Sequence, residues 1–385
     1  MTLIADRKTL ITKCKVLTES EFIAVDTEFM RDKTYWSKLC LIQLGTPDLT
    51  IVIDALSPKI DIDPVLEIMA NKTITKVFHS ARQDLEIFYK LMGTLPEPIF
   101  DTQIAAMACG FGEAAGYDKL AKELINVEVD KTVRHTDWTS RPLSSRQIKY
   151  AEGDVTHLWK IYLKLKKKLE ENKRESWLDQ EINNLTKLDN YLFSPSTAWQ
   201  RLKVKKSSPR FLAILKEIAA WRETEAQQQN LPRNRIIRDE SIIEIAHRTP
   251  HSIDQLLRIR GLDKAKILDK YGEKLLKAIK FGSNIPNDQL PTVQTKKQLP
   301  RDIGPATDLL KVLLKMRSEE HGIAQKLIST TQELEKISAY GEKADVLALR
   351  GWRRHIFGED ALKLASGSLG ITIEEKKLKI FGKIN

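Results

Sequence analysis

Residues 22–29, with the sequence FIAVDTEF, place two carboxylates at the end of an apolar segment. The apolar and partly β-branched residues predict a buried strand. Because side chains two positions apart in a strand point to the same face, Asp26 and Glu28 are expected to project side by side. Two such anions repel one another unless a cation lies between them. The stretch therefore predicts either a metal site or a solvated acidic turn.

The first half of the chain alternates between strand-like and helix-like segments, which is typical of an α/β domain. Residues 39–44 and 50–54 predict two further strands around a turn at 45–48, and with the first strand these are expected to form an antiparallel meander. A helix is expected over 64–70 and a strand over 73–78.

Three helix starts are predicted from capping patterns. Ser80 followed by Gln83 is a capping-box pattern, and it predicts a helix that carries Asp84 in its first turns. Asp101 is expected to be the N-cap of a helix over 102–109. Ser144, followed three residues later by a glutamine, predicts a long helix that reaches about residue 171.

From about residue 207 the strand pattern disappears and only amphipathic helices are predicted. The sequence RGL at 260–262, followed by YGEKLL at 271–276, reappears in degenerate form as RGW at 350–352 and FGEDAL at 357–362, which indicates two related helical modules. The expected domains, in chain order, are an N-terminal α/β domain over 1–195, a first helical module over 207–285, a proline-containing linker over 286–300 and a second module over 301–385.

Composition restricts the partners and the compartment. The chain has 385 residues with a formal net charge of +11, which favours a polyanionic partner. Its three cysteines lack CxxC spacing, which argues against a disulfide framework and a thiolate zinc site. The N-terminus has no apolar signal region and no segment is long enough to span a bilayer, so a cytoplasmic protein without a membrane anchor is expected.

Three further polar residues stand in the same domain as the acid pair. Asp84 alone is an ordinary acid near a helix start, and Tyr150 and Asp154, four apart on the long helix, are ordinary residues of an amphipathic face. Their order is more informative: an acid pair after a strand, an acid early in a helix, and Tyr-x-x-x-Asp on a later helix. Four carboxylates without a cysteine or histidine cluster suit Mg²⁺ or Mn²⁺.

These residues resemble the three motifs of the DEDD exonuclease superfamily, in the branch with a tyrosine in the third motif. The surrounding sequence resembles the bacterial ribonuclease D family at TYW 34–36, LIQL 41–44, DWTSRPL 137–143 and SPSTAW 194–199. The helical modules resemble helicase-and-RNase-D C-terminal (HRDC) domains. The second module lacks the Asn-x-Pro-Arg element that the first carries at 230–233.

The resemblance implies an α/β ribonuclease-H-like exonuclease domain, with a mixed sheet flanked by helices, followed by two all-α HRDC domains. It implies a metal-dependent 3′–5′ exoribonuclease that trims tRNA precursors and releases nucleoside 5′-monophosphates by two-metal-ion hydrolysis. By the same resemblance Asp26 bridges both ions, Glu28 and Asp154 hold the water-activating ion, and Asp84 supports the other. Tyr150 would orient the attacking water rather than act as a full base, because its ordinary pKa of about 10 keeps it protonated.

Two alternatives stay open at this point. A DNA-directed 3′–5′ exonuclease would carry the same acids, and a non-catalytic RNA-binding adapter would be expected to lack some of them. His79, Asp101 and Glu152 are left out of the metal site, as a packed or capping histidine, an N-cap and a solvated acid respectively.

RNA contacts are expected on the first helical module. Arg233, Arg235 and Arg238 are predicted to form an RNA-facing stripe, and the turn at Gly261 either meets a phosphate with its backbone amides or only ends a helix. Basic clusters at 164–168 and 201–206 either contact phosphates or are solvated. No obligate protein partner is expected.

Overall fold

The computed structural model describes residues 3–134, 136–204, 207–291 and 299–382. Residues 292–298 of the predicted linker, and Lys205 and Lys206 of the basic cluster at 201–206, lie outside these ranges. Among the helices described, none combines the length and the apolar character needed to cross a bilayer.

The N-terminal part is an α/β domain whose central sheet is flanked by helices. Its elements in chain order are α1 Arg7–Leu17, β1 Phe22–Met30, β2 Lys38–Gly45, β3 Thr50–Asp54, α2 Asp63–Ala70, β4 Thr75–Phe78, α3 Arg82–Met92, β5 Ile99–Asp101, α4 Thr102–Ala108, α5 Tyr117–Ile125, α6 Ser145–Glu171 and α7 Asp179–Leu185.

The sheet has five strands in the order β3-β2-β1-β4-β5. Strands β1 to β3 pair antiparallel, so the predicted meander is confirmed. Strands β4 and β5 continue the sheet parallel to β1, which makes it mixed, as expected. The central strand β1 therefore has neighbours on both sides and is held along its length.

Alternate residues of β1 face two different layers. Ile23 and Val25 pack with the helices of the first face, whereas Ala24 packs with Val155 of α6 on the other. A Cβ on Gly45 of β2 would lie only 2.9 Å from the Cβ of Val155, so α6 crosses the sheet in close contact with it. This close crossing brings the middle of α6 over the carboxyl half of β1.

The predicted helix starts are confirmed at Asp101 and Ser144, and the one at Ser80 is wrong. Asp101 accepts hydrogen bonds at the start of α4, and Ser144 forms its capping box with Gln147. Helix α3 instead starts after Ala81 without a side-chain cap, and Ser80 has a left-handed φ of 61°. The Asp101 carboxylate accepts from the backbone N–H groups of Ser80 at 3.2 Å and Ala81 at 2.8 Å, so it takes the role expected of Ser80.

The two helical modules follow. The first contains α8 Pro209–Gln229, α9 Arg233–Ile236, α10 Asp239–Arg248, α11 Ile253–Leu256, α12 Lys264–Lys266, a π-helical turn Ile267–Tyr271 and α13 Gly272–Ser283. The second contains α14 Gly304–His321, α15 Gln325–Ile328, α16 Thr331–Tyr340, α17 Gly351–Arg353, a π-helical turn Arg354–Gly358, α18 Glu359–Ala365, β6 Leu369–Glu374 and β7 Lys377–Gly382.

The expectation that the second module is all-α is wrong at its end, where β6 and β7 form an antiparallel hairpin. Its turn has left-handed φ values of 48° at Glu375 and 64° at Lys376. Such turns usually contain asparagine or glycine. Because this turn has neither residue, the sequence pattern did not predict the hairpin. Ile371 and Ile380, which face one another across the hairpin, pack against the neighbouring core.

The modules share an order of elements. In each, a long helix ends in a left-handed residue, Asn230 or Gly322, followed by a four-residue helix and a ten-residue helix. Each also has a π-helical turn with a close approach at Gly272 or Gly358, where a Cβ would clash with a backbone carbonyl oxygen. The repeat in the sequence thus corresponds to a repeat in structure.

Both modules contact the N-terminal domain by the corner after their long helix. The backbone oxygen of Asn230 accepts from the N–H of Tyr35 at 3.3 Å, and its side chain accepts from the N–H of Trp36 at 3.0 Å. In the second module the N–H of Ala324 donates to the oxygen of Met107 at 2.8 Å. The equivalent corner is therefore used twice, on two different surfaces of the domain.

Candidate metal centre

Three carboxylates converge where α6 crosses β1. Oxygens of Asp26, Glu28 and Asp154 lie within 4.8 Å of one another. Asp26 and Glu28 are two apart on β1 and share the face of Ala24, which packs toward α6. Asp154 immediately precedes Val155, the residue of α6 that packs against β2. The structure thus brings together three of the four predicted acids.

Asp84, the fourth acid, lies beside this group rather than within it. It is 8% exposed in the first turn of α3, and its carboxylate accepts a hydrogen bond from the hydroxyl of Thr27. Its charge nevertheless acts on the group, since it helps to raise the pKa values of Asp26 and Glu28. The residue between the paired acids therefore holds the fourth acid in place.

The four carboxyl groups have pKa values above their ordinary range. Withdrawal from water, followed by the charges of Asp154, Asp84 and Glu28, raises the pKa of Asp26 well above its usual value. Withdrawal from water also raises the pKa of Glu28 to about 9, of Asp154 to about 8 and of Asp84 to about 7. Without a cation, such a cluster retains protons at neutral pH.

The guanidinium of Arg134 partly offsets this accumulation of negative charge. It lowers the pKa of Glu28 and of Asp154, and of the Tyr150 hydroxyl. Its exposed side chain leaves room for solvent or a ligand at this edge of the site. The sequence reasoning missed Arg134, because a single arginine in an irregular segment gives no local signal.

The donor set fits a hard divalent cation. The converging ligand atoms are all carboxylate oxygens, which Mg²⁺ and Mn²⁺ prefer. Gln43 lies directly opposite Asp26 in the antiparallel pair of β1 and β2 and is fully buried. Neither atom of its side-chain amide has a hydrogen-bond partner among the described residues. Because buried amides are nearly always paired, Gln43 favours a site that also holds ordered water or metal-bound groups.

Gln43 was also missed from the sequence, although a signal was present. It is a lone amide in the otherwise apolar strand LCLIQL, and a polar residue at a core position of a strand calls for a partner. Its opposition to Asp26 depends on the register between β1 and β2, which the sequence pattern does not specify.

Tyr150 lies one turn before Asp154 on α6. Burial, followed by the charges of Asp154 and Glu28, raises the pKa of its hydroxyl above the ordinary value. The hydrogen bond of this hydroxyl in turn lowers the pKa of Asp154. Tyr150 therefore stays protonated at neutral pH and donates a hydrogen bond to Asp154, while its expected role toward an attacking water stays a prediction.

A second tyrosine fixes the same part of α6. The hydroxyl of Tyr117 donates to the backbone oxygen of Asp154, and its ring lies 5.5 Å from the ring of His79. The Nδ1 atom of His79 is 3.0 Å from the hydroxyl of Thr102. His79 is therefore a packed histidine, as expected, while Tyr117 is a positioning residue that the sequence did not reveal.

The predicted RNA-facing arginines do not form one stripe. Arg235 and Arg238 are exposed and line a cavity of about 200 Å³ together with Gly261, which has a left-handed φ of 79°. Arg233 instead binds the buried carboxylate of Glu223 and lines a different cavity. Two of the three predicted arginines therefore share a surface with Gly261, and Arg233 lies apart from them.

Comparisons with known proteins agree with this arrangement. The family model of 3′-5′ exonucleases matches residues 1–170, and that of the HRDC domain matches residues 211–279. The HRDC match lies within the first helical module, so one HRDC domain is identified.

Relatives match along nearly the whole chain. The chain is 42% identical to ribonuclease D of Granulibacter bethesdensis over 380 residues, which covers 98% of this chain and 96% of that protein. It is 43% identical to ribonuclease D of Bartonella henselae, with 98% and 93% covered. The crystal structure of Escherichia coli RNase D matches with a TM-score of 0.80 at 28% identity, covering 95% of this chain and 98% of that one. The chain therefore belongs to the ribonuclease D family and is a 3′–5′ exoribonuclease.

Proposed function

We propose that this exoribonuclease hydrolyses the terminal phosphodiester with two divalent metal ions, Mg²⁺ or Mn²⁺, and releases nucleoside 5′-monophosphates. The observation that carries the proposal is the convergence of Asp26, Glu28 and Asp154 within 4.8 Å, with Asp84 on the adjoining helix. Ions bound there supply an activated water and stabilise charge on the leaving oxygen.

Each residue has a proposed task. Asp26, whose pKa is affected by all three other acids, is the residue best placed to serve both ions. Glu28 and Asp154 hold the water-activating ion, and Asp84, oriented by Thr27, supports the other. Tyr150 keeps its proton and donates a hydrogen bond that orients the attacking water.

The proposed substrate is a tRNA precursor with extra nucleotides at its 3′ end. The Escherichia coli relative is described as an exoribonuclease involved in structured RNA processing. The net charge of +11 favours binding of such a polyanion. Cleavage of this substrate would place the protein in the cytoplasm.

We also propose the domain limits expected from the sequence, 1–195, 207–285 and 301–385, and a divergent HRDC fold for the last. Three shared features support the latter: the order of helices, the left-handed corners at Asn230 and Gly322, and the closely packed glycines at the ends of the π-helical turns. The corner of the second module reads Gly-Ile-Ala-Gln, without the proline and arginine of the first. RNA contacts are therefore proposed for the first module, at Arg235, Arg238 and Gly261, with Arg233 acting at the domain junction.

The test is a time course on a tRNA that carries a short 3′ extension, with Mg²⁺ and with EDTA. We expect loss of one nucleotide at a time that stops near the mature end, and only with the metal. Internal fragments would contradict the proposal. A single-stranded DNA of the same sequence serves as the comparison, and faster hydrolysis of the DNA would show a DNA-directed enzyme instead.

A further inference from the structure

A cleft of about 430 Å³ lies between the exonuclease domain and the first helical module. Four arginines line it, and each comes from a different segment. Arg31 follows β1, Arg201 ends the 3₁₀ segment Pro195–Arg201, Arg222 lies on α8 and Arg233 begins α9. The fold therefore concentrates guanidinium groups in one cavity at the junction.

A buried acid holds two of these arginines in place. Glu223, only 1% exposed, accepts hydrogen bonds from Nε and from Nη2 of Arg233, the latter at 2.6 Å. Arg201 approaches the same carboxylate at 3.4 Å, and the hydroxyl of Tyr35 also donates to it. Because these side chains are held before any ligand arrives, binding loses little conformational entropy.

The positive charge of the cleft is only partly neutralised. Glu86 pairs with Arg31 at 2.9 Å, Asp239 pairs with Arg222 at 2.6 Å, and Glu223 is shared, so four guanidinium groups face three carboxylates. The side chain of Arg222 is 5% exposed, yet its Nε has no hydrogen-bond partner among the described residues. A buried donor without an acceptor is costly, and an anion in the cleft would reduce the electrostatic imbalance.

The cleft lies close to the catalytic acids. Arg31 is three residues beyond Glu28 in the sequence, a separation of about 10 Å for extended chain. The ring of Tyr35 is only 3% exposed and is covered by the guanidinium of Arg233, 4.7 Å from its centroid. It is not available for stacking on a base, so the cleft offers charge rather than an aromatic platform.

We propose that this junction cleft binds backbone phosphates of the RNA strand just upstream of the 3′ end that lies at the acids. This inference rests on the proposed function, since it assigns the path of the same substrate. Contacts of arginine with phosphates carry no base information, so the cleft strengthens binding of any sequence. The first module then contributes to the substrate site by completing the cleft as well as by its own exposed surface.

The test uses the full chain with Arg201→Gln. Arg201 is 45% exposed, and its loss leaves Glu223 with the two bonds of Arg233, so the fold should persist. The control is Arg248→Gln, which also removes one positive charge, from a side chain of the first helical module that is 61% exposed and does not line the cleft. Arg201→Lys keeps the charge but not the planar fork.

Binding of a fluorescein-labelled single-stranded RNA is measured by anisotropy in EDTA at several salt concentrations. For Arg201→Gln we expect Kd to rise about fivefold, equivalent to about 1 kcal/mol. We also expect the slope of log K against log salt to decrease by about 0.7 for each phosphate that the variant no longer neutralises. Arg201→Lys should recover part of the affinity, and Arg248→Gln should bind as the wild type does.

An Arg201→Gln variant that binds with the wild-type Kd and salt slope would overturn the proposal, as would an equal loss of affinity in Arg248→Gln. Arg31→Gln, on another wall of the cleft, provides an independent variant and is expected to weaken binding as well. The same RNA is then incubated with wild type and Mg²⁺. If the wild type hydrolyses the RNA but the cleft variants bind it as tightly as the wild type does, only the cleft proposal is refuted. If the wild type binds the RNA without hydrolysing it, the proposed function is refuted.

Discussion

At the scale of single residues, Asp26 is the acid on which the charges of all three other acids act. Its carboxylate is raised in pKa by loss of water and by Asp154, Asp84 and Glu28 together. We expect Asp26→Asn to increase the thermal stability of the metal-free protein, because the neutral amide needs neither a bound proton nor a counter-ion when it is buried beside the other acids. The same change should abolish the stabilisation that Mg²⁺ gives to the wild type.

The same Asp26→Asn substitution should lower the catalytic activity. Loss of several kcal/mol of metal-dependent stabilisation corresponds to a fall in kcat on the order of 10³-fold. Thermal melts with EDTA and with Mg²⁺, beside steady-state rates, separate the two effects. A variant that melts lower without metal and keeps its response to Mg²⁺ would show that Asp26 has a structural role.

The Tyr150 hydroxyl is expected to affect kcat as a neutral hydrogen-bond donor and not as a charged group. Because its hydroxyl stays protonated, Tyr150→Phe removes the hydrogen bond that this hydroxyl gives to Asp154 and leaves the carboxylates in place. We expect kcat to fall by about 10²-fold with metal affinity nearly kept.

The matched control is Tyr162→Phe, on the same helix but with its ring packed between Phe22 and Phe100. Single-turnover rates and Mn²⁺ titrations of both variants check this prediction. Equal rates for Tyr150→Phe and wild type would remove the tyrosine from the mechanism.

The raised carboxyl pKa values predict how metal-free stability depends on pH. A carboxyl whose pKa is higher in the folded than in the unfolded state favours folding when it is protonated in both, below its unfolded pKa. That contribution is lost as pH rises through the folded values of about 7 for Asp84, about 8 for Asp154 and about 9 for Glu28. In EDTA the melting temperature should therefore fall as pH rises from about 4, where the unfolded carboxyls lose their protons, to about 9.

Saturating Mg²⁺ should oppose this fall, because the ion binds the deprotonated carboxylates. The difference in melting temperature between Mg²⁺ and EDTA should thus increase with pH in the wild type and vanish in Asp26→Asn. A difference that shrinks as pH rises would contradict the assigned cluster.

At the scale of elements, the helix start predicted at Ser80 is wrong because a carboxylate at the end of β5 holds the backbone before α3 in another conformation. Asp101 accepts from Gln103 and Ile104 at the start of α4 and from Ser80 and Ala81 before α3. The local Ser-x-x-Gln pattern contains no information about this second use. The Ser-x-x-Gln pattern forms a cap only when the backbone of Ser80 is not left-handed. The left-handed conformation of Ser80 depends on the packing of β4 and β5.

The two candidate caps make different predictions. Asp101→Ala should cost about 1–2 kcal/mol of unfolding free energy, since it removes the cap of α4 and the acceptor for two backbone N–H groups before α3, and activity should fall because α3 carries Asp84. Ser80→Ala should change neither, because the Ser80 hydroxyl makes no hydrogen bond among the described residues. Urea denaturation of both variants measures the difference. Equal stabilities would show that the Asp101 carboxylate is not the cap.

The long helix α6 was predictable because its capping box, its periodicity and its length agree. The acid pair on β1 was predictable for a similar reason, since a period of two places Asp26 and Glu28 on one face. The contributions of Gln43 and Tyr117 depend on strand register and on a helix from another part of the chain. Such contacts form only in the folded molecule.

At the scale of the whole molecule, the helical modules pack directly against the exonuclease domain. Trp177 of the exonuclease side stacks on Trp352 of the second module at 4.1 Å, and Arg174 donates to the backbone oxygens of Ala108 and His321. The apolar core of the second module is continuous with that around α4 and α6. Composition and the internal repeat predicted the order of the domains. They did not predict that the equivalent corner of each module contacts the exonuclease domain.

The central claim is that a carboxylate cluster at the crossing of β1 and α6 removes nucleotides hydrolytically from the 3′ end of RNA. The most direct measurement is chromatographic analysis of the products released from a 5′-labelled RNA by wild type and Asp26→Asn with Mg²⁺. The account predicts nucleoside 5′-monophosphates and a ladder that shortens from the 3′ end for wild type, and neither for the variant. Nucleoside 3′-phosphates, internal fragments or an undiminished ladder with Asp26→Asn would contradict it.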